Sequence, residues 1–396
     1  MPTIANEGLK LPQPDAESRA HSERVAALIC QAIASSGGSI SFAEFMQHAL
    51  YAPGLGYYSA GATKLGAAGD FITAPEISPL FARILARQCA LIAQCSPVTE
   101  VLELGAGSGS LALEMLRSLP RHGVELERYA ILEVSPDLRS RQESLIRSQA
   151  PKLITKVEWL DSLPRAFSGV VIANEVADAL PVERFQRTSD GVLQFRVVTE
   201  DGRFVWQLAP APPFLEDAVL RVEHSLGARL PEGYISDIST GLAAWIEDVA
   251  RRVETGFMFL FDYGVTRREY YAADRSGGWI RCHFRHHAHN DPLVWPGIQD
   301  LSAWVDFTAL AEGASDAGLE VAGFVSQSQF LLNGGLEDEL AGFERLPTAA
   351  QLELSRQVKM LTLPGEMGEH FKCLGLSRRI AASPAAFATG DRTHTL

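Results

Sequence analysis

The feature that most constrains the fold is a strand-like segment followed by a glycine-rich turn and a helix. Thr99–Leu104 is a short apolar run, Gly105–Gly109 has the spacing G-x-G-x-G, and Leu111–Ser118 has the spacing of a helix. Glycines at such a turn let the backbone approach a ligand closely, and the first N–H groups of the following helix are available to bind it. The segment therefore predicts a ligand-binding turn at the carboxyl end of a sheet strand.

Further apolar strands alternate with helices along the chain. They are predicted at Tyr129–Val134, Lys156–Leu160, Gly169–Ala173, Gly256–Tyr263, Leu319–Val325 and Phe371–Leu376. Strands alternating with helices at this pace predict a doubly wound α/β sheet. We divide the chain into an N-terminal helical and lid region, 1–96, and a core domain, 97–380, with α+β insertions at about 184–255 and 265–307. Residues 381–396, rich in Ala, Ser and Thr, are predicted to be a flexible tail.

Composition and charge disfavour several classes of function. The chain has 396 residues, 46% of them hydrophobic, and a formal net charge of −13 that would repel the phosphates of nucleic acids. No apolar run approaches the roughly 20 residues needed to cross a bilayer, and the first residues lack the pattern of a secretory signal. The five scattered cysteines are typical of a reducing compartment. We expect a cytoplasmic, bacterial protein that neither binds nucleic acid nor inserts into a membrane, and we favour a mitochondrial matrix location less.

Acidic residues stand at the ends of the first three core strands. Glu103 lies two residues before the first glycine of the turn, Glu133 ends the second strand, and Asp161 follows Leu160 at the end of the third. An acid beside the turn suits a ligand with a cationic sulfonium and an ammonium group, whereas NAD enzymes prefer G-x-G-x-x-G because a pyrophosphate must sit there. Each acid alone is better explained as a helix cap or a solvated loop carboxylate, but three at successive strand ends favour a nucleoside cofactor. We predict S-adenosyl-L-methionine, with a NAD-dependent dehydrogenase as a weaker alternative.

A longer series of motifs makes the chain recognisable. These are Gly69–Ser78, Leu102–Gly109, Ala173–Val182, Phe261–Gly264, Asp291–Leu293, Pro296–Asp300, Val305–Phe307 and Pro364–Gly368. In them the chain resembles, from about Ser41 to Arg379, the MidA family of bacterial and mitochondrial methyltransferases associated with respiratory complex I (complex I assembly factor 7 in mitochondria). The resemblance implies a seven-stranded, Rossmann-like methyltransferase fold. It also implies a protein substrate, the large quinone-proximal subunit of complex I, on which an arginine is dimethylated.

The turn, the strand ends and the resemblance together predict the residues that hold the cofactor. These are Asp70, Phe71, Thr73, Glu103, Gly105, Ala106, Gly107, Glu133, Leu160, Asp161 and Asn174. The first three lie in a glycine-flanked loop that could close over the cofactor as a lid and exclude water. The alternative for this loop is an ordinary connection between helices.

Two carboxylates near the end of the fourth core strand are candidates for the chemistry. Glu175 ends this strand, and Asp178 follows one helical turn later. A guanidinium stays protonated, so two carboxylates could bind two of its N–H groups and leave the third nitrogen nucleophilic. Alternatively, Asp178 is a helix cap and Glu175 is a structural hydrogen-bonding residue.

The segment Arg281–Asp291 contains four histidines and suggests two interpretations. Histidines at this density could bind zinc. Methyl transfer from a sulfonium requires no metal, however, so we predict no metal site. We favour a loop that lines the substrate cleft, with His286 and Asp291 as substrate contacts or proton acceptors.

The competing function is a non-catalytic complex I assembly or binding protein that keeps the methyltransferase fold, because fold does not imply function. The presence of Glu103, Gly107, Glu133 and Glu175 favours the enzyme. The sequence leaves the oligomeric state open, a homodimer included.

Overall fold

The computed structural model describes residues 11–60, 72–96 and 98–396. The helices within these ranges are α1 Ala16–Ser35, α2 Phe42–Tyr51, α3 Ala74–Ile77, α4 Pro79–Ala93, α5 Ser110–Ser118, α6 Pro136–Gln149, α7 Pro213–Leu226, α8 Leu242–Arg252, α9 Arg267–Tyr270, α10 Phe307–Asp316, α11 Gln327–Gly334, α12 Leu336–Glu339, α13 Thr348–Thr362 and α14 Met367–His370. None of these helices is both long and apolar enough to span a membrane.

The strands alternate with these helices. They are β1 Ile40–Ser41, β2 Glu100–Leu104, β3 Arg128–Leu132, β4 Val157–Leu160, β5 Phe167–Asn174, β6 Glu183–Arg187, β7 Val192–Glu200, β8 Arg203–Pro210, β9 Ile235–Ile238, β10 Val253–Val265, β11 Ile280–Phe284, β12 His287–His289, β13 Asp300–Ala303, β14 Val305–Asp306, β15 Glu320–Ser326 and β16 Phe371–Arg378.

The largest sheet confirms the predicted α/β class. Its main path runs β15-β16-β10-β5-β2-β3-β4, and the two-residue β14 pairs with β10, which gives eight strands in the described part of the chain. Strands β4, β3, β2, β5 and β10 are parallel, whereas β16 is antiparallel to both β10 and β15. The five parallel strands therefore end at one edge, where open α/β sheets bind their ligands.

Both faces of this sheet are covered, as the apolar strands require. On one face, Phe81 of α4 and Met115 of α5 pack with Phe259 of β10. On the other face, Ile246 of α8 and Leu310 of α10 share a second core. Sequence analysis assigned α8 to the first insertion, but its apolar side packs on the sheet because it is the helix that leads into β10.

The N-terminal helices and the insertions form one further layer. Strands β1, β7, β6 and β9 form a sheet in that order, with β8 also paired to β7, and β12, β11 and β13 form a small antiparallel sheet. Val25 of α1 and Phe45 of α2 pack in one core with Val197 of β7 and Leu301 of β13. Segments that are distant in sequence therefore meet beside the main sheet, as the division into separate regions did not anticipate.

The prediction of a flexible tail is wrong. Ala386 is fully buried, and Phe387 packs against Phe257 and Phe259 of the central strand β10. The backbone N–H of Ala386 also donates to the Gln88 side chain, at 3.0 Å. The sequence shows a weakly patterned tail, but its single phenylalanine completes the hydrophobic core.

Candidate active site

A cavity of about 520 Å³ opens where the parallel strands end. The glycine-rich turn after β2 and the ends of β3 and β5 form one part of its wall. The end of α2, the small β11–β13 sheet and the segment around α14 form the rest. A volume of this size is typical of sites that bind small molecules and cofactors.

The glycine turn faces this cavity in a conformation that requires glycine. Gly105, Gly107 and Gly109 have φ angles of +64°, +55° and +84°, in the left-handed region that other residues rarely adopt. A Cβ on Gly105 would approach the Val176 side chain to 3.2 Å. The carbonyl of Gly107 accepts a hydrogen bond from the Gln142 amide at 2.9 Å, which fixes the turn against α6. The turn thus presents bare backbone to a ligand.

Two carboxylates flank the turn. Glu103 is 2% exposed and accepts a hydrogen bond from the Tyr129 hydroxyl at 2.6 Å, and burial raises its pKa to about 7. Glu133 accepts the Ser135 N–H at 2.9 Å and the Gln142 amide at 3.0 Å, and burial raises its pKa too. A cation that enters the cavity would favour the ionised form of both carboxyl groups and so oppose the effect of burial.

Further acids lie beyond the end of β5. Glu175 has a φ of +54°, and its carboxylate accepts from the Asn174 amide at 3.1 Å and from the backbone of Ala74 in α3. Burial and the neighbouring Asp178 raise the pKa of Glu175 to about 8. Asn174 Oδ1 and Asp178 Oδ1 are buried without a hydrogen-bond partner among the described residues. Such orphaned acceptors in a cavity wall favour a ligand that donates hydrogen bonds.

Asp262 fixes the position of this acidic turn. Its carboxylate accepts the backbone N–H groups of Ala177, Asp178 and Tyr263 at 3.0, 3.1 and 2.9 Å. The Tyr263 hydroxyl in turn donates to Asp178 Oδ2 at 2.6 Å, which leaves Oδ1 for a ligand. Asp262 lies in the motif Phe261–Gly264, but it was not among the site residues predicted from the sequence.

The structure brings most of the predicted site residues together. Thr73, Glu103, Gly105, Ala106, Gly107, Glu133, Asn174, Glu175 and Asp178 all line the cavity. The predicted lid residues Asp70 and Phe71 lie outside the described residues, so the lid stays a prediction. Leu160 and Asp161 are absent from the cavity wall, and the 90% exposed Asp161 side chain pairs with Arg139 at 2.9 Å.

Neither predicted residue of the histidine-rich segment reaches the cavity. His286 is exposed on the turn after β11, and Asp291 accepts the Leu293 N–H at 3.2 Å within its own loop. Instead, Arg281 and His283 line the cavity. Side chains alternate along β11, so Arg281 and His283 share the face toward the cavity. The turn after β11 directs His286 away from it. In the described part of the chain no cluster of three or more His, Cys, Asp or Glu side chains could hold a metal ion.

Sequence analysis also missed several aromatic residues of the cavity wall. Tyr51, Tyr58, Tyr263 and Trp304 surround the region of Asp178 and Asp300. Tyr58 donates to Asp300 at 2.8 Å, and Tyr51 donates to the carbonyl of Ala179 at 2.8 Å. These residues come from α2, the turn after it, β10 and the connection between β13 and β14, and no spacing in the sequence links them.

The donor set fits a cationic nucleoside cofactor, since bare backbone, acidic strand ends and orphaned acceptors adjoin one cavity. A family model for S-adenosyl-L-methionine-dependent methyltransferases matches residues 80–325. The chain belongs to this family. Membership confirms the predicted cofactor and enzyme class and decides against the NAD-dependent dehydrogenase.

Individual relatives cover nearly the whole methyltransferase. The mitochondrial protein arginine methyltransferase NDUFAF7 homolog of Drosophila melanogaster is 30% identical over 94% of this chain and 89% of its own length. Mitochondrial protein arginine methyltransferase NDUFAF7 of Homo sapiens is 29% identical over 86% of this chain and 80% of its own length. These similarities agree with the MidA-type resemblance of the motifs.

A solved structure shares the fold in full. A COG1565 superfamily protein from Burkholderia thailandensis, bound to S-adenosyl-homocysteine, is 41% identical, with a TM-score of 0.91 over 98% of this chain and 100% of that chain. A native structure of a COG1565 superfamily protein from Burkholderia thailandensis is 42% identical, with a TM-score of 0.90 over the same shares of both chains. The architecture therefore recurs over 98% of this chain in solved structures.

Proposed function

We propose that this methyltransferase is a protein arginine N-methyltransferase and that its substrate is a subunit of respiratory complex I. The observation that carries the proposal is an acidic recess, the part of the cavity lined by Glu175 and Asp178 beside the cofactor turn. The buried Asp178 Oδ1 in this recess has no partner among the described residues. The relatives, which are named protein arginine methyltransferases, and the MidA-type motifs support a protein arginine substrate. The same proposal includes a cytoplasmic location in a bacterium and a homodimeric state.

The residues on the sheet edge would hold the cofactor. Glu133 suits the hydroxyls of a ribose, the backbone of Gly105 and Gly107 suits close approach, and Glu103 suits a cationic group of the ligand. Leu160 and Asp161 remain our proposal for the adenine, at the adjoining strand end. When bound, S-adenosyl-L-methionine supplies a methyl group activated by its sulfonium.

The acids of the recess would orient a guanidinium. Glu175 and Asp178 both have a raised pKa because burial disfavours their charged forms. A guanidinium, which keeps its charge at any pH near neutrality, would restore ionisation and form charge-assisted hydrogen bonds with both. Holding two nitrogens in this way fixes the third for in-line attack, and positioning is the main requirement of methyl transfer.

The aromatic wall supports the same chemistry. The rings of Tyr51, Tyr58 and Trp304 line the recess and would exclude water from it. A guanidinium also stacks favourably on aromatic faces. An arginine side chain thus meets both an acidic end and an apolar wall.

Glu175→Gln tests the proposal, because it keeps the shape of the side chain and removes its charge. We expect methylation of the large quinone-proximal complex I subunit to slow by roughly a hundredfold, with cofactor affinity nearly unchanged. Mass spectrometry of the subunit and calorimetry with S-adenosyl-L-methionine measure the two effects. The matched control is Glu232→Gln at an exposed position.

The outcomes separate the alternatives. Loss of both cofactor binding and turnover would make Glu175 a cofactor or folding residue, and retention of both would make it a bystander. A wild-type protein that binds the cofactor but methylates no arginine would favour the non-catalytic assembly protein.

A further inference from the structure

We infer that His283 accepts the proton that the substrate guanidinium releases during methyl transfer, and that Asp300 is its positioning partner. The inference rests on the proposed arginine methyltransferase function and adds to it the route of the proton. It also replaces the assignment of this role to His286, which the turn carries away from the cavity.

The register of the small sheet places the two residues side by side. Strands β11 and β13 are antiparallel, and His283 lies directly opposite Asp300. Residues in this relation have Cβ atoms about 4.5–5.5 Å apart on the same face of the sheet. Both residues line the cavity, whereas the neighbouring Cys282 is buried in the core on the other face. The strand therefore presents the imidazole and the carboxylate together to the recess.

The state of the imidazole suits a proton acceptor. His283 is half-buried, and its ring has no hydrogen bond to any described residue, so its nitrogens remain available. Burial lowers the pKa of His283, and the neighbouring His289 and Arg281 lower it further. The imidazole is therefore neutral near pH 7.

The other acids and the tyrosines around the recess are poorer proton acceptors than His283, because they are ion-paired or keep their own protons. His289 on β12 is an electrostatic neighbour of His283, and the titratable and charged groups that line the cavity with His283 are Arg281, Asp300, Tyr51, Tyr58, Glu103, Glu133, Glu175, Asp178, Tyr263, Glu366 and His370. Asp178 and Glu175 would be ion-paired with the guanidinium and therefore weak bases during the reaction. The tyrosines keep their protons, since burial raises the pKa of Tyr58 and Tyr263 well above the usual value. His283 is the neutral base on the cavity wall nearest to Asp300 in the sheet register.

The step balances in charge and atoms. A guanidinium nitrogen forms a bond to the methyl carbon as the bond from that carbon to sulfur breaks, with the electron pair left on sulfur. Without proton loss, the product would carry two positive charges. One N–H proton passes to a ring nitrogen of His283, so the methylated guanidinium keeps a single charge. The imidazolium, stabilised by Asp300, then releases the proton to solvent.

The test is the pH dependence of methylation in the full-length enzyme with the complex I subunit as substrate. For the wild type we expect the turnover number to fall with decreasing pH as His283 becomes protonated, at a pH below the usual histidine pKa of about 6.5 because the pKa of this residue is lowered. His283→Gln should lower turnover at neutral pH by about a hundredfold and abolish this acid limb. Cofactor affinity and thermal stability should stay unchanged. His286→Gln, three residues away and exposed, is the matched control and should behave as the wild type.

Two further variants distinguish proton transfer from a structural role. His283→Ala should regain turnover when imidazole is added, which repair of packing elsewhere would not produce. Asp300→Asn removes a nearby negative charge, so the acid limb should move to lower pH. If His283→Gln keeps the wild-type rate and acid limb while the wild type methylates arginine, the inference is overturned and the proposed function stands. If the wild type methylates no arginine, both are overturned.

Discussion

Cofactor affinity should depend on pH through Glu103. The carboxylate of this residue lines the cavity at the start of the glycine turn, and burial raises its pKa to about 7 in the ligand-free protein. A cationic ligand binds the ionised form and must expel the proton when the group is neutral. The affinity for S-adenosyl-L-methionine should therefore fall as the pH falls below about 7, with the slope that linkage between the proton and the ligand requires.

The magnitude follows from that pKa. Between about pH 8 and about pH 5.5 the ionised fraction of a group with pKa 7 decreases about thirtyfold, which corresponds to about 2 kcal/mol of binding free energy. Glu175 also has a raised pKa and adds a slope of its own. Glu103→Gln isolates the first contribution, because the amide has nearly the same shape and cannot ionise.

The assay is calorimetry with S-adenosyl-L-methionine across this pH range, on the wild type and Glu103→Gln. We expect the ratio of wild-type to variant affinity to decrease about thirtyfold from the high to the low end. Repeating the titrations near about pH 5.5 in buffers of different ionisation enthalpy should show about one proton fewer released by the variant. The exposed Glu232→Gln variant should match the wild type. Parallel pH profiles for the wild type and Glu103→Gln would refute the reasoning.

Three further predictions concern stability. Glu175→Gln should raise the melting temperature of the ligand-free protein near pH 8 but not near pH 4.5. The pKa of this carboxyl is raised to about 8 in the folded protein, so above pH 4.5 the unfolded chain ionises it while the fold keeps it protonated, and stability falls as the pH rises. Phe387→Ala should destabilise by about 3–5 kcal/mol in urea unfolding, against little effect from the half-exposed Phe214→Ala; equal effects would contradict the packed tail. Gly256→Ala should lower the free energy of unfolding by about 3 kcal/mol or more, since the added Cβ would lie 2.1 Å from the carbonyl oxygen of Gly169 in β5. An unchanged unfolding midpoint would show that β5 and β10 move apart at little cost.

The sequence by itself determined the main sheet and which strand ends line the cavity. Short-range patterns specify both, since an apolar strand, a glycine turn and a helix occupy consecutive residues. The acids Glu103, Glu133 and Glu175 were predicted to lie together because each stands at or next to the end of a strand, and the carboxyl ends of parallel strands meet at one edge in any such sheet; all three line the cavity. The left-handed φ of Gly105 and Gly107 explains why glycine occupies those positions.

Only the tertiary structure decided the composition of the substrate side. Tyr58 and Asp300 are 242 residues apart, and their hydrogen bond depends on how α1 and α2 pack against the inserted sheets. The strand phase of β11 brings His283 rather than His286 to the cavity, and a single sequence does not fix where a short strand ends and its turn begins. The burial of Phe387 was also decided by the tertiary structure, because its ring fills space left by glycines in β15 and β16. Local sequence patterns reflect the backbone conformation that each residue prefers, whereas long-range packing determines which side chains become neighbours.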